Sequence, residues 1–274
     1  MNYFRGKIEA YWQDSAVQRE AMARDALYLY KKRIDLTSAK VLEIGCGTGD
    51  FSLELAKAGA SVVALDMSQQ RIDALRKRTV EIRLKLDLVV GDAQKTSFEN
   101  ETFDLILCRN VIEHVCNPPR LVEEMGRILK PGGAIQLTAP NRYSISQLFR
   151  DEHYRLPLVA ILPRKLAGFV VCRIFNLEDE YSVSVIPSYD LLKTWIKIYG
   201  LISKMDLPNP ELIARKWTFP EEINNRFVRR IVKTALLLHA NHIISRIAAS
   251  EEFLGWFAPR WSLWLTKPDA QKRL

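Results

Sequence analysis

From residue 38 onward, short apolar runs alternate with segments whose apolar positions recur every three or four residues, the pattern of a parallel sheet covered by helices. KVLEI (40–44), SVVAL (61–65), LDLVV (86–90), FDLILC (103–108) and GAIQLTA (133–139) read as five strands. DFSLELAKAG reads as a helix ending at Gly59, QQRIDALRKR as one capped by Ser68, and PRLVEEMGRILK as one whose Leu121, Val122, Met125 and Leu129 share a face. Pro131-Gly132-Gly133 is expected to break that last helix ahead of the fifth strand. After Asn141 the rhythm is lost until YDLLKTWIKIYG, a helix, and LISKMDL (201–207), a strand. APRWSLWLTKP (258–268) closes the pattern as an alternating strand.

Composition adds a sizeable core, since 48% of the 274 residues are hydrophobic, and a formal net charge of +8 that is compatible with a phosphate-bearing or membrane partner without requiring one. Cys46, Cys108, Cys116 and Cys172 have no metal-ligand spacing and read as reduced thiols of a cytoplasmic protein. MNYFRGKIEAYWQD carries charges where a signal peptide needs an apolar run, so neither secretion nor a membrane span is expected.

The chemistry gathers in VLEIGCGTGD, where Gly45, Gly47 and Gly49 lie between a strand and a helix and let backbone amides approach a ligand. The spacing departs from the dinucleotide fingerprint, and Asp50 at the helix start argues against a pyrophosphate and for a ligand carrying positive charge. Asp66 ends the second strand where a carboxylate can take both ribose hydroxyls, and Asp92 follows the third, where it can accept from an exocyclic amine.

LEIGCGTGDFS, ALDMS, GDA, FDLILCRNVIEHV and ILKPGGAIQLTAPN together resemble the class I S-adenosylmethionine-dependent methyltransferases, in order and at matching distances. That resemblance implies a Rossmann-like α/β fold: a seven-stranded mixed sheet, its last strand antiparallel, with helical cap insertions. It divides the chain into an N-terminal helical lid (1–37), a cofactor-binding core (38–141), a cap insertion (142–187), a core helix and strand (188–207), a helical insertion (208–257) and a final core strand and tail (258–274). S-adenosylmethionine is the implied cofactor. Gly45 and Gly47 would approach its methionine portion with Glu43 beneath them, Asp66 would hold the ribose, Asp92 with Ala93 the adenine, Asn110 would face the methionine end, and Cys46, Gly49 and Met67 would join them in binding the cofactor.

NVIEHVCNPPR admits several readings on its own. Asn117-Pro118-Pro119 stands too far past the fourth strand for a base-methylating motif and lacks the following aromatic, so it reads as a helix entry capped by Asn117. Glu113-His114 resembles the pair found in methyltransferases of phenols, including those of ubiquinone biosynthesis. There a carboxylate three residues earlier helps bind a divalent ion; Asn110 occupies that place here, and no metal is expected. His114 is either the general base for an acceptor hydroxyl or a residue that packs the turn. His153 either meets the substrate or lies on the surface, and His239 and His242 read as structural.

Both insertions are apolar and aromatic, with Tyr143, Phe149, Tyr154, Leu158, Ile161, Leu162 and Phe169 in the first, so the expected acceptor is a hydrophobic small molecule or lipid, methylated at oxygen. Residues 221–247 pair an apolar side with Arg226, Arg229, Arg230 and Lys233, which fits either peripheral contact with a membrane or a buried helix. Nucleic acid is not an expected partner. The alternatives are an RNA or protein methyltransferase and a non-catalytic S-adenosylmethionine-binding protein.

Overall fold

A computed structural model of the chain describes residues 19–144, 147, 151, 153–184, 186–206 and 260–268. The expected membrane-contact helix at 221–247, the remaining helical insertion, His239, His242 and the lid aromatics Tyr3, Phe4, Tyr11 and Trp12 lie outside the described residues.

Seven strands form one sheet: β1 (Lys40–Ile44), β2 (Ser61–Asp66), β3 (Asp87–Val90), β4 (Phe103–Arg109), β5 (Leu129–Pro140), β6 (Ile202–Met205) and β7 (Arg260–Thr266). Their order is β3-β2-β1-β4-β5-β7-β6, parallel except for β7, which runs antiparallel to both neighbours. The fold is the expected Rossmann-like seven-stranded mixed sheet. Beside it are helical residues 19–31 (α1), α2 (Asp50–Lys57), α3 (Gln69–Glu81), α4 (Pro118–Ile128), α5 (Arg164–Gly168) and α6 (Tyr189–Ile198).

Strand alternation divides the core between the two faces. Leu42, Ile44, Ile106 and Cys108 pack with Leu121 and Met125 of α4 and with Leu192 and Ile196 of α6. Val41, Leu105 and Leu107 face the other way, against Ala23 and Tyr30 of α1 and Leu55 of α2. Tyr30 meets Trp264 of β7 edge to face at 5.9 Å, which ties α1 to the antiparallel strand.

The helix starts follow the sequence. Ser68 Oγ accepts from the Arg71 amide and Asn117 Oδ1 from the Arg120 amide, while Pro118 and Pro119 occupy the first turn of α4. The Asn-Pro-Pro motif is therefore a helix entry. Gly59 has a φ of +97°, as a left-handed cap needs. One boundary differs: Leu129 already pairs with Phe103, so β5 begins before Pro131 and the chain passes from helix to strand without a separate loop. A register shift between Phe103 and Leu105 absorbs the proline and glycines.

Part of the cap holds a small core of its own, with Tyr154, Leu156, Val159, Ala167, Val171 and Val183 buried together. Of the apolar cap residues on which the expectation of a hydrophobic acceptor rests, Tyr143, Leu158 and Phe169 are exposed at 50%, 53% and 56%.

Candidate active site

Strand order reverses between β1 and β4, and the loops leaving their carboxyl ends diverge to open a cleft, as in other open α/β sheets. The cleft measures about 480 Å³. Of the expected site residues, Glu43, Gly45, Cys46, Gly47, Asn110 and His114 line it; Gly49, Asp66, Met67, Asp92 and Ala93 do not.

The glycines have different jobs. A Cβ on Gly45 would collide with Val111 and one on Gly49 with Leu75, so both are small for packing. Among the described residues, nothing lies within 4 Å of where a Cβ on Gly47 (φ +53°) would be. The Gly47 amide donates to Asp66 Oδ2 at 2.9 Å, and the Ser68 amide donates to Asp66 Oδ1 at 2.9 Å. Asp66 thus fixes the glycine turn from behind and is 4% exposed. Asp92 is exposed and accepts from the Gln94 amide at 2.8 Å; Ala93 is buried, and Met67 is 67% exposed.

Glu43 accepts from the amide and hydroxyl of Ser52 in the first turn of α2. Burial pushes its carboxyl up to about 7 against the pull of Ser52 and Arg109. Asp50 does not present a free charge to the cleft, because Arg19, Arg78 and Thr48 all donate to its carboxylate. The exclusion of pyrophosphate therefore rests on glycine spacing and not on Asp50. Arg109, which the sequence reading missed, lies over the Phe51 ring at 4.1 Å and donates to Gln136. Only its place at the end of β4 hinted at a role.

At the other end, Asn110 has a φ of +53°, and its Oδ1 accepts from Thr138 Oγ1 at 3.2 Å. Glu113, His114 and His153 come together there. His114 Nδ1 lies 3.1 Å from the Ser182 carbonyl oxygen. His114 Nε2 is 4.0 Å and His153 Nε2 3.8 Å from Glu113 Oε1. Both carboxyl oxygens of Glu113 are buried with no hydrogen-bond partner among the described residues, and burial pushes this group up to about 7. His153 is pushed down to about 4, first by burial and then by His114. Burial, opposed by the Ser182 carbonyl, also holds His114 below the usual imidazole value. These three side chains could each offer one atom to a metal ion, within 4.8 Å of one another. The cluster takes its third donor from the cap and not from Asn110, on whose neutral side chain the expectation of no metal rested.

Residues 42–137 match the family described as a methyltransferase domain. A ubiquinone biosynthesis O-methyltransferase of Xanthomonas oryzae pv. oryzae is 30% identical over 195 residues, covering 65% of this chain and 81% of that protein. The protein of that name in Aliivibrio fischeri is 35% identical over 123 residues, 44% of this chain and 53% of that one. The chain thus spans about half the length of its Aliivibrio relatives. A SAM-dependent methyltransferase structure from Methanosarcina mazei, 16% identical, shares the fold at a TM-score of 0.54, over 88% of this chain and 98% of that one. The chain belongs to the class I S-adenosylmethionine-dependent methyltransferases.

Proposed function

We propose that the protein transfers a methyl group from S-adenosylmethionine to a hydroxyl oxygen of a lipophilic small molecule, with His114 as general base. The observation that carries this reading is the meeting, in one cleft, of an open glycine turn at Gly47 and an imidazole whose Nδ1 is engaged by a carbonyl. The residues suit the cofactor: Gly47 leaves room on the cleft side, and Asp66 keeps lone pairs beyond the two it gives to backbone amides. Gly45 and Gly49 shape the turn, Glu43 anchors it to α2, and Cys46 and Asn110 border the methionine end. Asp66 with Met67 would take the ribose, and Asp92 with Ala93 the adenine.

When bound, the sulfonium supplies an electrophilic methyl group, and transfer then depends on in-line placement of the acceptor oxygen. His114 Nε2 takes the acceptor's hydroxyl proton; with its pKa lowered, the imidazole is neutral near pH 7 and free to do so. The assignment of oxygen and of a lipophilic acceptor draws on relatives named as ubiquinone biosynthesis O-methyltransferases and on the apolar insertions.

A second reading of the same end is favoured by the two oxygens of Glu113, which have no hydrogen-bond partner among the described residues. Glu113, His114 and His153 would hold a divalent cation that polarises the acceptor oxygen. Metal analysis of purified, dialysed protein separates the two, with stoichiometric metal supporting the second. The main reading is tested by incubating the protein and methyl-labelled cofactor with lipid, phenolic, RNA and protein fractions. Label in the phenolic or lipid fraction supports it, and label confined to RNA or protein rejects it.

A further inference from the structure

The segment around Ser182 belongs to the cap, yet it is hydrogen-bonded to the Glu113-His114 turn at two points. The Ser184 amide donates to the Glu113 carbonyl at 2.7 Å, and the Ser182 carbonyl faces His114 Nδ1 at 3.1 Å. A carbonyl can only accept, so Nδ1 must carry the proton and Nε2 is left with its lone pair. What holds Ser182 in place is Tyr154, 28 residues away: its hydroxyl accepts from the Ser182 amide at 3.2 Å and shares a hydrogen bond with Ser182 Oγ at 3.1 Å.

Tyr154 is itself fixed on both sides. Its ring stacks on Tyr181 at 5.4 Å, and its amide, with those of His153 and Leu156, donates to the buried carboxylate of Asp151. Tyr154 is 5% exposed, so its own end of these bonds is shielded, while Ser182 lies at the surface.

We propose that Tyr154 is a positioning residue: acting through Ser182, it holds His114 in the Nδ1-protonated tautomer and aims the Nε2 lone pair into the cleft. This rests on the reading of His114 Nε2 as the working atom, and it applies whether that atom takes a proton or a cation. The cap is then a working part of the site as well as a cover. The other groups facing His114 do not set its tautomer. Glu113 is 4.0 Å from Nε2, His153 packs edge to face at 5.1 Å, and Arg71 acts only through its charge.

The test uses the full-length protein with 15N-labelled histidine. The imidazole nitrogen shifts of His114, assigned by comparison with His114→Ala, report the tautomer directly. Tyr154→Phe keeps the ring that stacks on Tyr181 and removes only the hydroxyl. In it the His114 signals are expected to move from a single Nδ1-protonated form to a mixture, while cofactor affinity stays within about twofold and kcat falls roughly tenfold, a part of the contribution a base makes. Ser182→Ala, which removes one of the two links to Tyr154, should shift the signals the same way by less. Unchanged His114 tautomer signals in folded Tyr154→Phe would overturn the proposal; if that variant does not fold, unchanged signals in Ser182→Ala do so. A shifted tautomer together with full turnover by His114→Ala would uphold the role of Tyr154 and reject instead His114 as the base.

Discussion

At Asp66 both carboxylate oxygens accept a backbone amide, and under the proposed reading their remaining lone pairs would take the ribose hydroxyls. Asp66→Ala is therefore expected to weaken S-adenosylmethionine binding by ~1.5–3 kcal/mol, the scale of hydrogen bonds to a charged group, with micromolar affinity in the unaltered protein. Calorimetry checks this, and equal affinity in the variant would remove Asp66 from the site. Glu43 gives a pH signature. Its carboxyl rises from an ordinary 4.5 to about 7 on folding, so its contribution to stability is fully present below pH 4.5 and is lost as pH rises through 7. The loss amounts to about 3 kcal/mol at most. Glu43→Gln should flatten that part of the stability profile in urea titrations at pH 5 and pH 8, and parallel profiles would contradict the assignment. Both carboxylates were legible in the sequence because each sits at or near a strand's carboxyl end. Arg109, Tyr154 and Ser182 were not, because their roles depend on partners 27 to 68 residues away.

Among the elements, the loop from β1 to α2 makes the clearest division between structure and binding. Gly49→Ala forces a Cβ into Leu75 at a φ of +78°, so it should lower the folding stability, by about 1–3 kcal/mol for strain and overpacking together. At Gly47→Val the added Cβ meets no described protein atom within 4 Å, and the change should mainly abolish cofactor binding, with a smaller stability cost of ~1–2 kcal/mol from its left-handed backbone. Thermal melts with and without cofactor read both effects, and a reversed order would contradict the assignment. The sequence marked all three glycines as one ligand-facing set, because spacing cannot reveal that Leu75 and Val111 stand behind two of them. Strands were easier to read: KVLEI is β1 residue for residue, since its apolar positions start after Lys40 and stop at the glycine turn that begins with Gly45. The start of β5 was not, because LKPGG looks like a break until Leu129 is seen pairing with Phe103.

For the whole molecule, fold and family follow from five motifs in register along one sheet, whereas no motif in the sequence names the acceptor. Among the described residues no helix is long and apolar enough to cross a membrane. Peripheral contact through 221–247, one of the two readings of that segment, predicts salt-sensitive sedimentation with anionic vesicles, weakened by Arg229→Glu and Arg230→Glu; no vesicle binding under any condition would reject it. The central claim is that cofactor and acceptor hydroxyl meet at His114, and the most direct test is the mass of the product formed from methyl-deuterated S-adenosylmethionine and a lipophilic phenol. One labelled methyl on oxygen is predicted, at a rate ~10²–10⁴ lower in His114→Ala with cofactor affinity nearly unchanged. No labelled product from any phenol, in protein that binds the cofactor, would contradict it, as would a folded His114→Ala variant within about threefold of full rate.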